Sequence, residues 1–331
     1  MSNPLERTVF TYGSGRSGTT LLAKLLDASP QTLYRHEPDK LRKCPELPFL
    51  PEPEEYARLE APARRYLLEL TRPAVPSVSG KRPHFRKDFR SPMAEHAKNA
   101  LLAPLSAAER FGLRLPVPDL ARGDGFFYLI KSVSSVCRVP MFAAASAPTK
   151  FIHIVRHPGA VLASLLRGIE QQLMNRDMFI HEIARMSNAK AFDIPVDRLD
   201  ALSYEEQAAY TWMVQNDKSE RELGANPNYL LVSYEDICLN TVDRVQDMCE
   251  FIGIDLHEQI RTFIDEMNGS GEGGYFSVAK NPLGSISRWE EQLPAEIAER
   301  IETIVQQSAV GRFALEKYAM VRRQLQDADD R

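Results

Sequence analysis

Apolar and polar positions along the chain resolve into five short apolar runs separated by stretches of helical spacing. The runs are Thr8–Tyr12, Thr32–Tyr34, Phe126–Ile130, Phe151–Val155 and Tyr229–Val232. They are rich in β-branched and aromatic residues, so each predicts a strand. Thr19–Ala28 places Leu21, Leu22, Leu25 and Leu26 on one face, the pattern of an amphipathic helix. Further helical patterns cover Ala160–Arg185, Tyr204–Leu223, Arg244–Ile252 and Ala295–Gln307. Strands alternating with helices predict an α/β fold on a central parallel sheet.

Two regions break the rhythm. Residues 44–118 hold about half of the 22 prolines, a density that predicts only a few short helices. We read this segment as an insertion, a substrate lid packed over one end of the sheet, within a single domain spanning 1–331. The second is Asn268–Asn281, where Gly269, Gly271, Gly273 and Gly274 predict a mobile loop, and residues 268–290 are expected to complete the lid. The tail Gln326–Arg331 is expected to fray, and no internal repeat is present.

Composition narrows the function. A hydrophobic fraction of 44% over 331 residues supports a sizeable core, and the formal net charge is −4. That balance argues against a nucleic-acid partner, so any anion site must be a local cluster of basic side chains and backbone N–H groups. Cys44, Cys137, Cys238 and Cys249 lack ligand-like spacing and are expected to be reduced thiols, with neither disulfides nor a metal site. No apolar run reaches the roughly 18 residues of a membrane span. Met1–Arg7 carries no apolar signal core. The expected compartment is therefore the cytoplasm.

The most informative segment is Thr8–Leu22: a strand, a glycine turn, then a helix. Gly13, Gly15 and Gly18 free the backbone so that its N–H groups can converge on an anion at the helix start. Ser14, Ser17, Thr19 and Thr20 add hydroxyls. Gly13 and Gly18 have the separation of a nucleotide-triphosphate loop, but Thr19 stands where such a loop needs lysine, and the basic residue is Arg16 inside the turn. The comparable strand Phe151–Val155 ends at Arg156 rather than at a metal-binding aspartate. The pattern suits an anion held without a metal and disfavours a kinase or ATPase.

Gly13–Leu22 resembles the 5′-phosphosulfate-binding loop of sulfotransferases that use 3′-phosphoadenosine 5′-phosphosulfate (PAPS). It is closer to the Arg-Ser-Gly-Thr-Thr form of the tyrosylprotein and bacterial branches than to the Lys-Ser-Gly-Thr form of the cytosolic small-molecule enzymes. Phe151–Ser164 resembles the family's second signature, in which an arginine and a serine eight residues later hold the 3′-phosphate; here these are Arg156 and Ser164. Leu231–Asp236 with Phe251–Gly253 resembles the Tyr-Glu-Asp strand end and the following helix end. Gly284–Trp289 resembles the segment that covers the cofactor. Four motifs in the family's order span most of the chain; only the Pro-rich insertion matches nothing in it.

The resemblance implies a P-loop-like three-layer α/β domain and direct in-line transfer from PAPS, without a metal, to an acceptor. A hydroxyl on a small molecule, sugar or lipid is the expected acceptor, and the oligomeric state, a homo-oligomer included, is not fixed. Arg16 would neutralise charge on the sulfuryl group. Glu37 falls at the offset from the loop arginine where the tyrosylprotein branch has its catalytic glutamate. His36 competes for the role of base, since the small-molecule branch uses histidine. Glu37 is preferred because neighbouring strand residues point opposite ways. Lys131 closes an apolar strand and would sit near the leaving oxygen; the competing reading is a snorkelling lysine. Tyr234 and Trp289 would contact adenosine, with core packing as the alternative, and Arg288 would assist at the 3′-phosphate. Trp212 is expected in the core. The basic run Lys81–Arg90 reads as a solvated loop or as a surface for an acidic acceptor. A nucleotide-binding regulatory protein and a P-loop phosphotransferase are the rival functions.

Overall fold

A computed structural model describes residues 3–175, 178–269 and 283–329. The five apolar runs all form strands: β1 (Thr8–Tyr12), β2 (Thr32–His36), β3 (Phe127–Ser132), β4 (Lys150–Val155) and β5 (Tyr229–Ser233). They build one parallel sheet in the order β2-β3-β1-β4-β5. After β1 the chain runs to β2 and β3 on one side, then crosses to β4 and β5 on the other. The switch point therefore lies between the carboxyl ends of β1 and β4, where an open α/β sheet leaves a crevice.

Strand alternation divides the core between the two faces. Val9, Leu129, Ile152 and Ile154 pack into one cluster, while Phe10, Tyr12, Ile130 and Phe151 pack into another. The first face carries α1 (Thr19–Asp27) through Leu22, Leu25 and Leu26. The second carries α2 (Tyr56–Thr71), whose Leu59, Ala63, Tyr66, Leu67 and Leu70 form a buried stripe at helical spacing. Trp212 is buried in the first cluster, on a helix whose span, Tyr204–Leu223, matches the expected one. All four cysteines are free. Among the described residues no helix is long and apolar enough to cross a membrane.

Three expectations are corrected. The Pro-rich segment holds two long helices, α2 and α3 (Pro92–Arg110), with Pro62 and Pro104 inside them. An interior proline costs about 3 kcal/mol, but the three buried leucines of α2, Leu59, Leu67 and Leu70, each worth about 1.5–3 kcal/mol, outweigh it. The segment's first half thus lies on a sheet face. The helix expected over Ala160–Arg185 is α4 (Pro158–Glu170); it stops where Gln172 takes a left-handed backbone (φ 57°), although apolar spacing continues through Leu173 and Met174. The tail, expected to fray over Gln326–Arg331, continues as α5 (Ala309–Asp329), and Asp330 and Arg331 lie outside the described residues. The glycine-rich loop Asn268–Asn281 lies outside the described residues from position 270 onward.

Candidate active site

The loop after β1 is shaped by what surrounds it. A Cβ at Gly13 would lie 2.2 Å from the Ile154 carbonyl oxygen, so only glycine lets the chain turn this close to β4. Gly18 (φ 89°) caps α1, and a Cβ there would meet the Tyr234 ring at 2.2 Å. The Ser14 and Ser17 hydroxyls hydrogen-bond each other at 2.7 Å, and both residues are buried. These two, with Gly13, brace the loop from beneath, while Gly15, Arg16, Gly18, Thr19 and Thr20 line a cavity of about 760 Å³. No side chain caps the start of α1, so its first N–H groups stand ready for an anion.

Arg16 has a left-handed backbone (φ 71°), an unfavourable choice for a residue with a side chain. The conformation delivers its guanidinium to α4, where Nε donates to Ser164 Oγ at 2.9 Å. Arg156, just past β4, donates to the Arg16 carbonyl at 3.4 Å and to the Ser285 carbonyl at 2.7 Å, and its guanidinium lies 4.3 Å from the Tyr234 ring centre. Arg16, Arg156, Ser164 and Tyr234 are thus brought together at the switch point. Tyr234 opens a short helix rather than closing β5, and its buried ring is wedged against Gly18.

On the other side of the loop, Lys131 of β3 forms a short ion pair with Glu37, which also pairs with Lys40. Burial opposes ionisation of Glu37, but Lys131 and Lys40 hold its carboxyl down at about 2. Burial pushes the Lys131 ammonium down, with Glu37 opposing. The His36 imidazole is pushed down to about 3, first by burial and then by Lys131, and its Nδ1 shares a hydrogen bond of 2.7 Å with the Tyr34 hydroxyl. Strand alternation was expected to turn His36 and Glu37 opposite ways. Instead both line the cavity, because Glu37 leaves β2 in a left-handed conformation (φ 49°) and its N–H donates to the Lys131 carbonyl at 2.7 Å.

Arg288 and Trp289 reach the cavity from the C-terminal segment. Trp289 is also core: it stacks on His157 with centroids 4.4 Å apart, over Gly159, where a Cβ would come within 2.6 Å of its ring. Lys40, Lys81 and Arg167 line the cavity as well, and none was predicted as a site residue. The signal for Arg167 was present, since it follows Ser164 by one helical turn. The basic run Lys81–Arg90 is solvated only in part: Arg82, His84 and Arg86 are exposed, while Lys87 and Arg90 turn inward. Lys87 is buried against Asp27 at 2.9 Å, Arg90 is buried against Glu95 at 3.1 Å, and only Lys81 of the run lines the cavity.

Among the described residues the cavity wall carries seven basic side chains and one carboxylate, in a chain whose net charge is −4. Three buried donors on that wall, Arg156 Nε, Arg167 Nε and Trp289 Nε1, have no hydrogen-bond partner among the described residues. A five-stranded parallel sheet with a glycine loop and a cation-rich cavity at its switch point defines an open α/β protein with a site suited to an anion. Within that class, the chain belongs to the sulfotransferase family, whose sequence profile matches residues 8–258.

Carbohydrate sulfotransferase 3 of Homo sapiens is similar at 22% identity over 161 residues, covering 46% of this chain and 31% of that protein. Carbohydrate sulfotransferase 3 of Mus musculus is similar at 23% over 161 residues, with the same coverage of 46% and 31%. The match thus spans about a third of the length of these curated relatives. The sulfotransferase domain from the Synechococcus PCC 7002 olefin synthase shares 20% identity, covering 90% of this chain and 93% of that one, with a TM-score of 0.42. Mouse sulfotransferase SULT7A1 complexed with PAP shares 12%, covering 94% and 89%, with a TM-score of 0.43.

Proposed function

We propose that this protein moves a sulfuryl group from PAPS to a hydroxyl of a small-molecule, sugar or lipid acceptor. The observation that carries the reading is the cavity: seven basic side chains against one carboxylate, with three buried donors unpartnered among the described residues. An unmade bond at a buried donor costs about 1–3 kcal/mol, and a ligand rich in phosphate and sulfate oxygens would satisfy the two guanidinium donors. PAPS fits this donor set and supplies the sulfuryl group, which passes directly to the acceptor oxygen as the bridging S–O bond breaks.

The chain's own residues then divide the work. The loop N–H groups, Thr19 and Thr20 hold the 5′-phosphosulfate, and Arg16 neutralises charge on its sulfuryl oxygens. Arg156 and Ser164, with Arg288, hold the 3′-phosphate. Tyr234 and Trp289 flank the adenosine. Lys131 stabilises the leaving phosphate oxygen. Glu37 takes the acceptor's proton. At about 2, Glu37 is ionised but a weak base; drawing Lys131 toward a bound anion would leave it less tightly paired and more basic. Of the insertion 44–118, Lys81 forms part of the acceptor side, and we read that part as the acceptor-facing segment.

The test is calorimetric titration of the full chain with 3′-phosphoadenosine 5′-phosphate (PAP), with ATP–Mg²⁺ as the control. Tight PAP binding and little ATP binding supports the reading and justifies an acceptor screen with PAPS. Preference for ATP–Mg²⁺ would replace it with a phosphotransferase.

A further inference from the structure

Lys81 is placed above on the acceptor side of the cavity, but no contact has been assigned to its ammonium. It lines the cavity near His36, and among the described residues its ammonium has no ion-pair or hydrogen-bond partner. It is close enough to His36 to help keep the imidazole deprotonated.

Its position is built, and the building is costly. Lys24 is fully buried, and its ammonium donates to Asp27 at 2.7 Å and to the backbone carbonyls of Lys81 at 2.6 Å and Pro83 at 3.0 Å. Lys87 closes the network from the far end of the same loop, donating to the other oxygen of Asp27 at 2.9 Å and to the Ser29 carbonyl at 2.9 Å. A charge taken out of water is retained only when fully paired. Here two buried lysines and one aspartate are used to fix the backbone of a surface loop to α1. The cation that this fixed loop delivers to the cavity is Lys81.

We infer that Lys81 is the acceptor-recognition residue, and that the acceptor carries an anionic oxyacid group, a carboxylate or phosphate, at the end remote from the hydroxyl that reacts at Glu37. The inference rests on the proposed function in one respect, the placing of the acceptor hydroxyl at Glu37. Glu37 itself is paired with two lysines and offers an anion nothing. The anionic end is therefore held by Lys81 and the hydroxyl end by the carboxylate, which orients a two-ended acceptor in one direction only.

The experiment is calorimetric titration of the PAP-saturated full chain with straight-chain ω-hydroxy acids and with the diols of the same lengths. The acids are expected to bind about tenfold or more tightly than the diols, the scale of one charge-assisted contact. Lys81→Gln should abolish that difference while leaving diol and PAP affinity unchanged, and Lys81→Arg should keep most of it. Equal binding of acids and diols by the native protein overturns the inference. So does an acid preference that survives Lys81→Gln, or a loss for acid and diol alike, which marks a structural role. Failure of PAP to bind would sink the proposed function alone, because the acid–diol comparison on the ligand-free protein still reads Lys81.

Discussion

At the scale of single residues, backbone conformation decides which side chains meet in the cavity. Arg16 and Glu37 both adopt left-handed angles that a residue with a Cβ resists, and both then face the site. Which residue types stand at the strand ends is plain from the sequence, since a charge closing an apolar run has few bland explanations. Their directions are not plain. Alternation along β2 assigns His36 and Glu37 to opposite sides, and one positive φ cancels that assignment. Glu37→Gln is expected to leave PAP affinity intact and lower kcat by about a hundredfold or more, the usual range for loss of a general base. Normal turnover in that variant would pass the role to His36. The depressed Glu37 carboxyl makes a second prediction. Its folded value lies below its ordinary one, so ionised Glu37 stabilises the site above the usual carboxylate range, and this is lost only as pH falls toward about 2. The profile of kcat/KM should therefore show no acid limb from Glu37 near neutrality. In Lys131→Met the lysine is gone while burial remains, and the limb should move up by about one pH unit or more. A limb that stays in place would mean that Lys131 does not set the charge state of Glu37.

At the scale of elements, strands were readable because a five-residue apolar run admits few alternatives, and α1 because a glycine turn and four leucines mark both its start and its face. The insertion was not readable. Proline density is a local signal, and it was overridden by the burial of one stripe of α2 against the sheet. Likewise Lys81–Arg90 looks like one basic run in sequence, yet Lys87 and Arg90 turn inward to partners far along the chain, a pairing that no local pattern announces. If α2 is a structural layer and not part of the cavity, Leu67→Ala should destabilise the fold by about 2–5 kcal/mol, the range for a large-to-small core change, with PAP affinity unchanged. Denaturant unfolding and calorimetry on the same variant check both halves; a variant that keeps its stability but loses PAP affinity would place α2 in the site.

At the scale of the whole molecule, charge is partitioned rather than abundant. The chain carries 45 acidic and 41 basic residues, yet among the described residues seven basic ones and one acidic one line a single cavity, so the rest of the chain is more acidic than the net charge suggests. Composition excluded a basic surface but could not locate the cluster. Its members come from the strand ends, α4, the insertion and the C-terminal segment, and meet only through the parallel topology. Arg156 is the member on which this architecture turns. It contacts the loop at the Arg16 carbonyl and the C-terminal segment at the Ser285 carbonyl, so its loss has two separable consequences. If its main duty is to hold the loop, Arg156→Ala weakens every adenosine ligand that uses the loop. If its main duty is the 3′-phosphate, the same variant weakens PAP by about tenfold or more, while adenosine 5′-phosphosulfate, which lacks that phosphate, loses little. Parallel titrations of the variant with the two ligands separate the cases. A 3′-phosphate role for Arg156 requires the second result, and its unpartnered Nε favours that role, because it points to a contact that the described residues do not make.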